Sequence, residues 1–293
     1  MVTEFSNDRL TMVGAGAAFY VLLALVPALS AFVAVYGLIF DRSSVVEQVS
    51  RLSGFLAPEV RTLIEGQLTR LVSASSGSLS LAFAVSLALS IWSSSAGTKA
   101  MMDGLNIVYD EKEKRGFVRF YGTALALTLG GLVGFVAVIG ATIAVPIILG
   151  YVVPGTAGGF IRFVSFALLL GFLWIGLLVL YKWGPSRDAA EWRWLAPGTI
   201  IAVVALAAFS LLFSWFARTF AGYASYGSLG AIIAFMTWVW ISAVIVLLGA
   251  EINAEMEHQT AHDTTTGSDM PMGSRGAAMA DTLPDQKDSG AGP

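Results

Sequence analysis

Apolar residues come in long blocks along this chain, not in the alternation of a half-buried strand or the narrow stripe of a surface helix. Six blocks stand out, at residues 12–40, 79–98, 121–151, 160–181, 194–216 and 229–250. About 20 apolar residues, rising ~1.5 Å each, cross the roughly 30 Å hydrocarbon core of a bilayer. Each block therefore predicts a spanning helix, and the expected fold is all-α: a polytopic membrane helical bundle with about six transmembrane helices. The last block is the most plainly written. A Gly/Ser turn opens residues 226–257, an apolar run follows, and the stretch stops at Glu251, Asn253, Glu255 and Glu257. Blocks one and three are long enough to tilt. They hold Pro27 and Pro146, each of which removes a backbone hydrogen bond. These two are hinge candidates, with a static kink as the other reading.

The polar connections add detail. Residues 41–78 carry Val45, Val49, Leu52 and Leu56 at helical spacing, and Leu63, Ile64, Leu68 and Leu71 beyond Pro58. This predicts two short amphipathic helices in a first outer loop, serving as a cap on the bundle or as a lid or docking surface. From His258 onward Thr, Gly, Asp, Ser, Met and Pro dominate without apolar period. Residues 258–293 are thus expected to be a disordered cytoplasmic tail, dispensable to a transmembrane domain at 1–257. Orientation follows from Lys and Arg near the span ends. Lys99, Lys112, Lys114, Arg115, Arg119, Lys182, Arg187 and Arg193 fall on one side, whereas the opposite short loops hold only Arg162 and Arg218. The first loop balances Arg42, Arg51, Arg61 and Arg70 against Asp41, Glu47, Glu59 and Glu65. Both termini are expected in the cytoplasm, and the first block, too long for a signal peptide, is expected to be retained.

Composition agrees with lipid as solvent. The 293 residues are 56% hydrophobic and 13% charged, against about 25% charged in a soluble domain. A net charge of −3 gives no broad attraction for nucleic acid, so none is expected as a partner. The absence of cysteine excludes disulfides, thiolate nucleophiles and Cys-ligated metals.

Candidate chemistry is sparse. Ser86, Ser90 and Ser94, followed by Gly97, share one face of the second block. They form either a polar lining for a pathway or a close helix contact. Lys99, Asp103 and Asn106 gather at the cytoplasmic end of that helix, and Glu251, Asn253 and Glu255 at the same end of the sixth. Charges at this depth need partners or water. Lys99 with Glu251 or Asp103 is the expected pairing, as a gate or as simple helix-end capping. GGLVG at 130–134 matches a weak helix-packing motif. Only two histidines exist, His258 and His262, both in the tail. Neither a nucleophile elbow nor a Walker sequence is present. No catalytic set, metal site or cofactor site is read, and the chain is expected not to be an enzyme.

Four segments together carry a resemblance: AAFYVLLALVPAL at 17–29, LNIVYDEKEKRG at 105–116, WLAPGTII at 194–201 and the run from Tyr226 to Glu255. In order and spacing the chain resembles the YihY/virulence factor BrkB family of bacterial inner-membrane proteins. Phe216 and Ala224 depart from the Tyr and Asn that pattern would place there. The resemblance implies about six spans, a cytoplasmic C-terminus and the inner membrane. It also brings a historical ribonuclease BN label and, in one lineage, an association with resistance to serum killing. The nuclease label fits poorly, since metal-dependent RNA cleavage needs clustered His and Asp ligands. Two functions stay open: moving or handling a lipid or small molecule at the envelope, or organising the envelope as a structural protein. The expected partners are the bilayer and such a substrate, with self-association also open.

Overall fold

A computed structural model describes residues 10–39, 81–152, 158–219 and 228–283. The described residues are helical, with six long helices and one short one: α1 Leu10–Ile39, α2 Leu81–Val108, α3 Phe117–Val152, α4 Gly158–Trp183, α5 Trp192–Thr219, α6 Ser228–His258 and α7 Ala278–Asp281. No strand occurs among them, only an isolated antiparallel bridge between Ala190 and Thr265. Four segments are long and apolar enough to cross a membrane: Phe117–Thr142, Phe163–Trp183, Trp192–Phe216 and Ile232–His258. The described apolar part of α1, Leu10–Ala24, is shorter. In α2, five serines, Lys99 and Asp103 dilute the apolar run.

Few residues of the four spans are buried within the bundle. Leu211, Val204 and Ile175 are each more than half exposed. Such a surface would not survive in water, and lipid is the environment that fits it. The long helices pack side by side. α6 lies against α1, α2 and α5, while α3 joins α2 to α4 and α4 touches α5. The closest approach is between α5 and α6. A Cβ on Gly198 would overlap the carbonyl oxygen of Gly249, and a Cβ on Gly249 would come within 2.6 Å of the Ala202 methyl. Glycine at both positions lets the backbones meet. The 130–134 motif behaves differently. A Cβ at Gly134 would strike the Phe172 ring of α4, while Gly130 faces open space.

The buried core sits at one end of the bundle. Leu10, Leu105, Tyr109, Tyr181, Leu195 and Leu247 are all fully buried there. This explains why α2 outruns the apolar block 79–98 and continues helical to Val108. Met102, Leu105 and Val108 keep one face apolar and buried against that core. The helix ends where Asp110 turns to a φ of 52°, with the Glu111 amide bonding back to the Asn106 carbonyl at 2.8 Å. That six-to-one bond and left-handed residue stop a helix, and Asp tolerates the conformation. α1 runs helically through Pro27 and α3 through Pro146, whose side chain lies outside the described residues. The amphipathic stretch 41–78 also lies outside them.

The tail requires a correction. Residues 259–283 form an ordered strap across the polar end of the bundle where a disordered segment is expected from composition. Arg275, 5% exposed, donates to the carbonyls of Ala261, His262, Met270 and Ala280. Asp281 accepts from the amides of Gly273 and Arg275, and Asp263 from those of Thr265 and Met270. Compact turns built from charged side chains and backbone groups show no apolar period, so hydropathy passes them over.

Candidate functional site at the polar end of the bundle

Two loops and the strap converge at this end. The first is the α2–α3 connection, residues 109–116; the second is the α4–α5 connection, residues 184–191. Asn106, 5% exposed, holds both. Its Nδ2 donates to Glu113 at 3.0 Å, and its Oδ1 accepts the Ser186 amide at 2.7 Å. The Lys114 amide donates to the Ser186 hydroxyl at 2.9 Å. Arg115 caps α4 by donating to the Trp183 and Gly184 carbonyls at 3.2 and 2.8 Å, with Glu113 bound to its other edge at 2.7 Å. Carbonyls at a helix C-terminus lack intrahelical donors, and a guanidinium supplies them. Burial alone would raise the Glu113 pKa, but the hydrogen bonds from Arg115 and Asn106 bring it down to about 2.

Beneath these loops lies an ion pair that the sequence reading did not single out. Arg187 and Glu257 meet through two hydrogen bonds of 2.8 Å each, their side chains 1% and 0% exposed. The Thr264 hydroxyl donates to the same carboxylate at 2.9 Å, and the guanidinium lies over the Tyr109 ring at 4.2 Å. Burial pulls the Arg187 pKa down, yet the facing carboxylate outweighs it and holds it above its ordinary value. Burial pushes the Tyr109 phenol up. The residues come from the end of α2, the α4–α5 loop, the end of α6 and the strap. No local spacing joins them. The only signal in the chain was an unusual density of Glu at the end of the sixth apolar block.

Of the expected polar cluster, Asn106, Glu251 and Asn253 are buried at this end, while Glu255 is half-buried and Asp103 exposed. Asn253 ties α6 to the start of α5, accepting the Gly198 amide at 2.8 Å and donating to the Leu195 carbonyl at 3.1 Å. Glu255 approaches His258 at 3.8 Å. The ammonium of Lys99 rests over the Tyr121 and Trp92 rings, 4.4 and 5.5 Å from their centroids. Those two rings stack on each other at 4.9 Å. Lys99 forms no ion pair with Glu251 or Asp103 among the described residues. Ser94 bonds back to the Ile91 carbonyl of its own helix at 2.8 Å. Ser90 is half-buried, and the side chain of Ser86 lies outside the described residues. Close packing of α2 is carried at Gly97, where a Cβ would lie 2.9 Å from Val21 of α1.

Beside the ion pair a cleft of about 850 Å³ opens between the first turns of α3 and the last turn of α4, with Gly276 of the strap at its rim. Its polar wall carries Lys114, Arg115, Arg119, Lys182 and Arg187 against one carboxylate, Asp188. Ala126, Leu127, Val179 and Trp183, on the same two helices, add apolar lining. Trp183 of this lining is exposed, as are Trp192, whose ring meets it at 5.7 Å, and Phe117 at the start of α3; exposed rings of this kind suit a membrane–water boundary. Among the described residues no three His, Asp or Glu side chains meet as a metal site requires.

Long apolar helices whose polar groups collect at one end define a multi-pass membrane protein. Comparison with known proteins narrows the class. The chain belongs to the virulence factor BrkB family, whose model matches residues 1–272. It is 31% identical over 224 residues, 73% of this chain and 76% of the relative, to a Bacillus subtilis protein described as ribonuclease-like, YfkH. It is 30% identical over 116 residues, 39% of this chain and 37% of the relative, to a UPF0761 membrane protein of Tolumonas auensis. No solved structure gives a significant match.

Proposed function

We propose that this protein moves or handles a lipid or small molecule at the bacterial inner membrane, with both termini in the cytoplasm and without catalysing a reaction. The observation that carries the reading is the cleft between α3 and α4. Its lining combines cationic and apolar side chains, the exposed Trp183 among them. A site of that polarity suits a molecule with one charged and one greasy end. The excess of Lys and Arg at this end supports its cytoplasmic placement. The ribonuclease description belongs to the Bacillus relative. An RNA-cleaving site would need a convergent acid–base or metal set, and the polar groups here serve as caps and ion pairs. A second reading, a structural membrane protein, draws on the α5–α6 contact at Gly198 and Gly249 and on serines that bond within their own helix.

Reconstitution into vesicles tests the choice. Protein-dependent movement of a fluorescent phospholipid analogue between leaflets, or efflux of a trapped small anion, is the expected result. Folded, correctly inserted protein that leaves both rates at the level of empty vesicles would overturn it in favour of the structural reading. Single cysteines at the exposed positions 112 and 259 should label from the cytoplasmic side of intact cells' membranes and not from the outside.

A further inference from the structure

We infer that the cleft between α3 and α4 is a binding site for the phosphate of an anionic amphiphile, with Lys182 and Arg119 as its ligands; the inference rests on the lipid-handling reading above.

Three of the five cations in the cleft wall are already matched. Lys114 pairs with Glu111 at 2.8 Å, Arg115 with Glu113 at 2.7 Å and Arg187 with Glu257 at 2.8 Å. Lys182 and Arg119 take part in no ion pair among the described residues. Lys182 is the telling one. It is 9% exposed, in the last turn of an apolar helix, and its close partner is the Trp192 ring at 4.2 Å. Glu191 acts on it electrostatically, although that carboxylate is bound to Arg193, and Asp188 lines the same cleft. An ammonium resting on a ring face at the wall of an open cleft can take an anion or water to complete its shell. Arg119 stands across the same cleft in the first turn of α3, which carries no acidic residue. The two cations therefore face a shared volume from neighbouring helices.

Geometry selects the anion class. Phosphate accepts from a guanidinium fork and from an ammonium at once. Basic pockets between membrane helices suit anionic head groups, whose acyl chains continue along the apolar lining. Ala126, Leu127 and Val179 extend that lining away from the cations, along α3 and α4. A soluble phosphate ester shares the head-group chemistry but gains nothing from this lining.

The test uses the full chain in mixed micelles and native mass spectrometry. The lipid probes are phosphatidylglycerol and phosphatidylcholine; glycerol 3-phosphate is the soluble probe. Wild type should retain phosphatidylglycerol at least about tenfold over phosphatidylcholine. Lys182→Gln with Arg119→Gln should reduce the preference to within about twofold of unity. Lys182→Arg, which keeps the charge, should preserve it, as should Lys99→Gln outside the cleft. Monodisperse elution of each variant controls for folding. Retention of glycerol 3-phosphate that is lost in the double variant, without a lipid preference, supports the phosphate site and assigns it to a soluble ester. No preference in wild type for any phosphate probe, or a preference that survives the double variant, overturns the inference. Leaflet exchange measured in parallel separates the two claims: binding without movement would leave the site standing and remove the broader reading.

Discussion

The buried Arg187–Glu257 pair yields the sharpest prediction. Replacing Glu257 by Ala removes both 2.8 Å hydrogen bonds and the acceptor for Thr264, and leaves a guanidinium 1% exposed that keeps the Tyr109 ring and the more distant Glu111 charge but no bound carboxylate among the described residues. Breaking one side of a buried ion pair costs roughly 3–5 kcal/mol, because the surviving charge keeps its desolvation penalty. At about 1.4 kcal/mol per decade, this raises the opening equilibrium of the strap by roughly 10²- to 10⁴-fold. Hydrogen exchange of the full chain in micelles reads it directly. The Thr266 amide bonds to the Ala189 carbonyl at 2.8 Å and the Glu191 amide to the Thr264 carbonyl at 2.9 Å, so both should lose protection by that factor. Arg187→Met combined with Glu257→Leu should recover most of the loss, since apolar packing can replace a buried pair. A change below about threefold in Glu257→Ala, or a double variant as exposed as the single one, would refute the reasoning and show that the strap is held by its own turns.

Three further outcomes follow from the same geometry. Gly249→Ala should separate α5 from α6, because the new methyl lies 2.6 Å from Ala202 and 2.7 Å from the Tyr181 hydroxyl. Overpacking of a tight contact costs ~1–3 kcal/mol or more, and a lower melting midpoint in detergent is the readout. The Glu113 clamp should be acid-labile. Its folded pKa of about 2 lies below the ordinary 4.5, so it stabilises the loop above pH 4.5 and the contribution disappears as pH falls towards 2. Protease cleavage at Arg115 should rise across that window in wild type and be insensitive to it in Glu113→Gln. A stop codon after His258 should expose Glu257 and Glu111, which lose Thr264 and the Ala278 amide. Its melting midpoint should drop, whereas a tail irrelevant to the fold would leave it unchanged.

The membrane class and the helices could be read directly from the chain. Apolar blocks of spanning length leave few alternatives when every backbone polar group must be satisfied without water, and α3 to α6 each contain one of the last four blocks, α6 running eight residues beyond its block to His258. The polar residues at the end of the sixth block were visible too, and Asn106, Glu251 and Asn253 are buried. Their partners were not legible. Lys99 bonds to ring faces, and Glu257 finds Arg187 from a loop 70 positions away. Pairing of that kind depends on which helix ends lie side by side, and hydropathy carries no information about it.

Sequence by itself thus determined the solvent of this protein and the elements that solvent permits, since transfer of apolar surface from water is local and additive along a helix. Only tertiary structure decided the order of the strap, the buried ion pair and the cleft with its cationic lining. Each arises where separate segments meet, and the energy of a charge depends on what stands within a few ångströms of it in space.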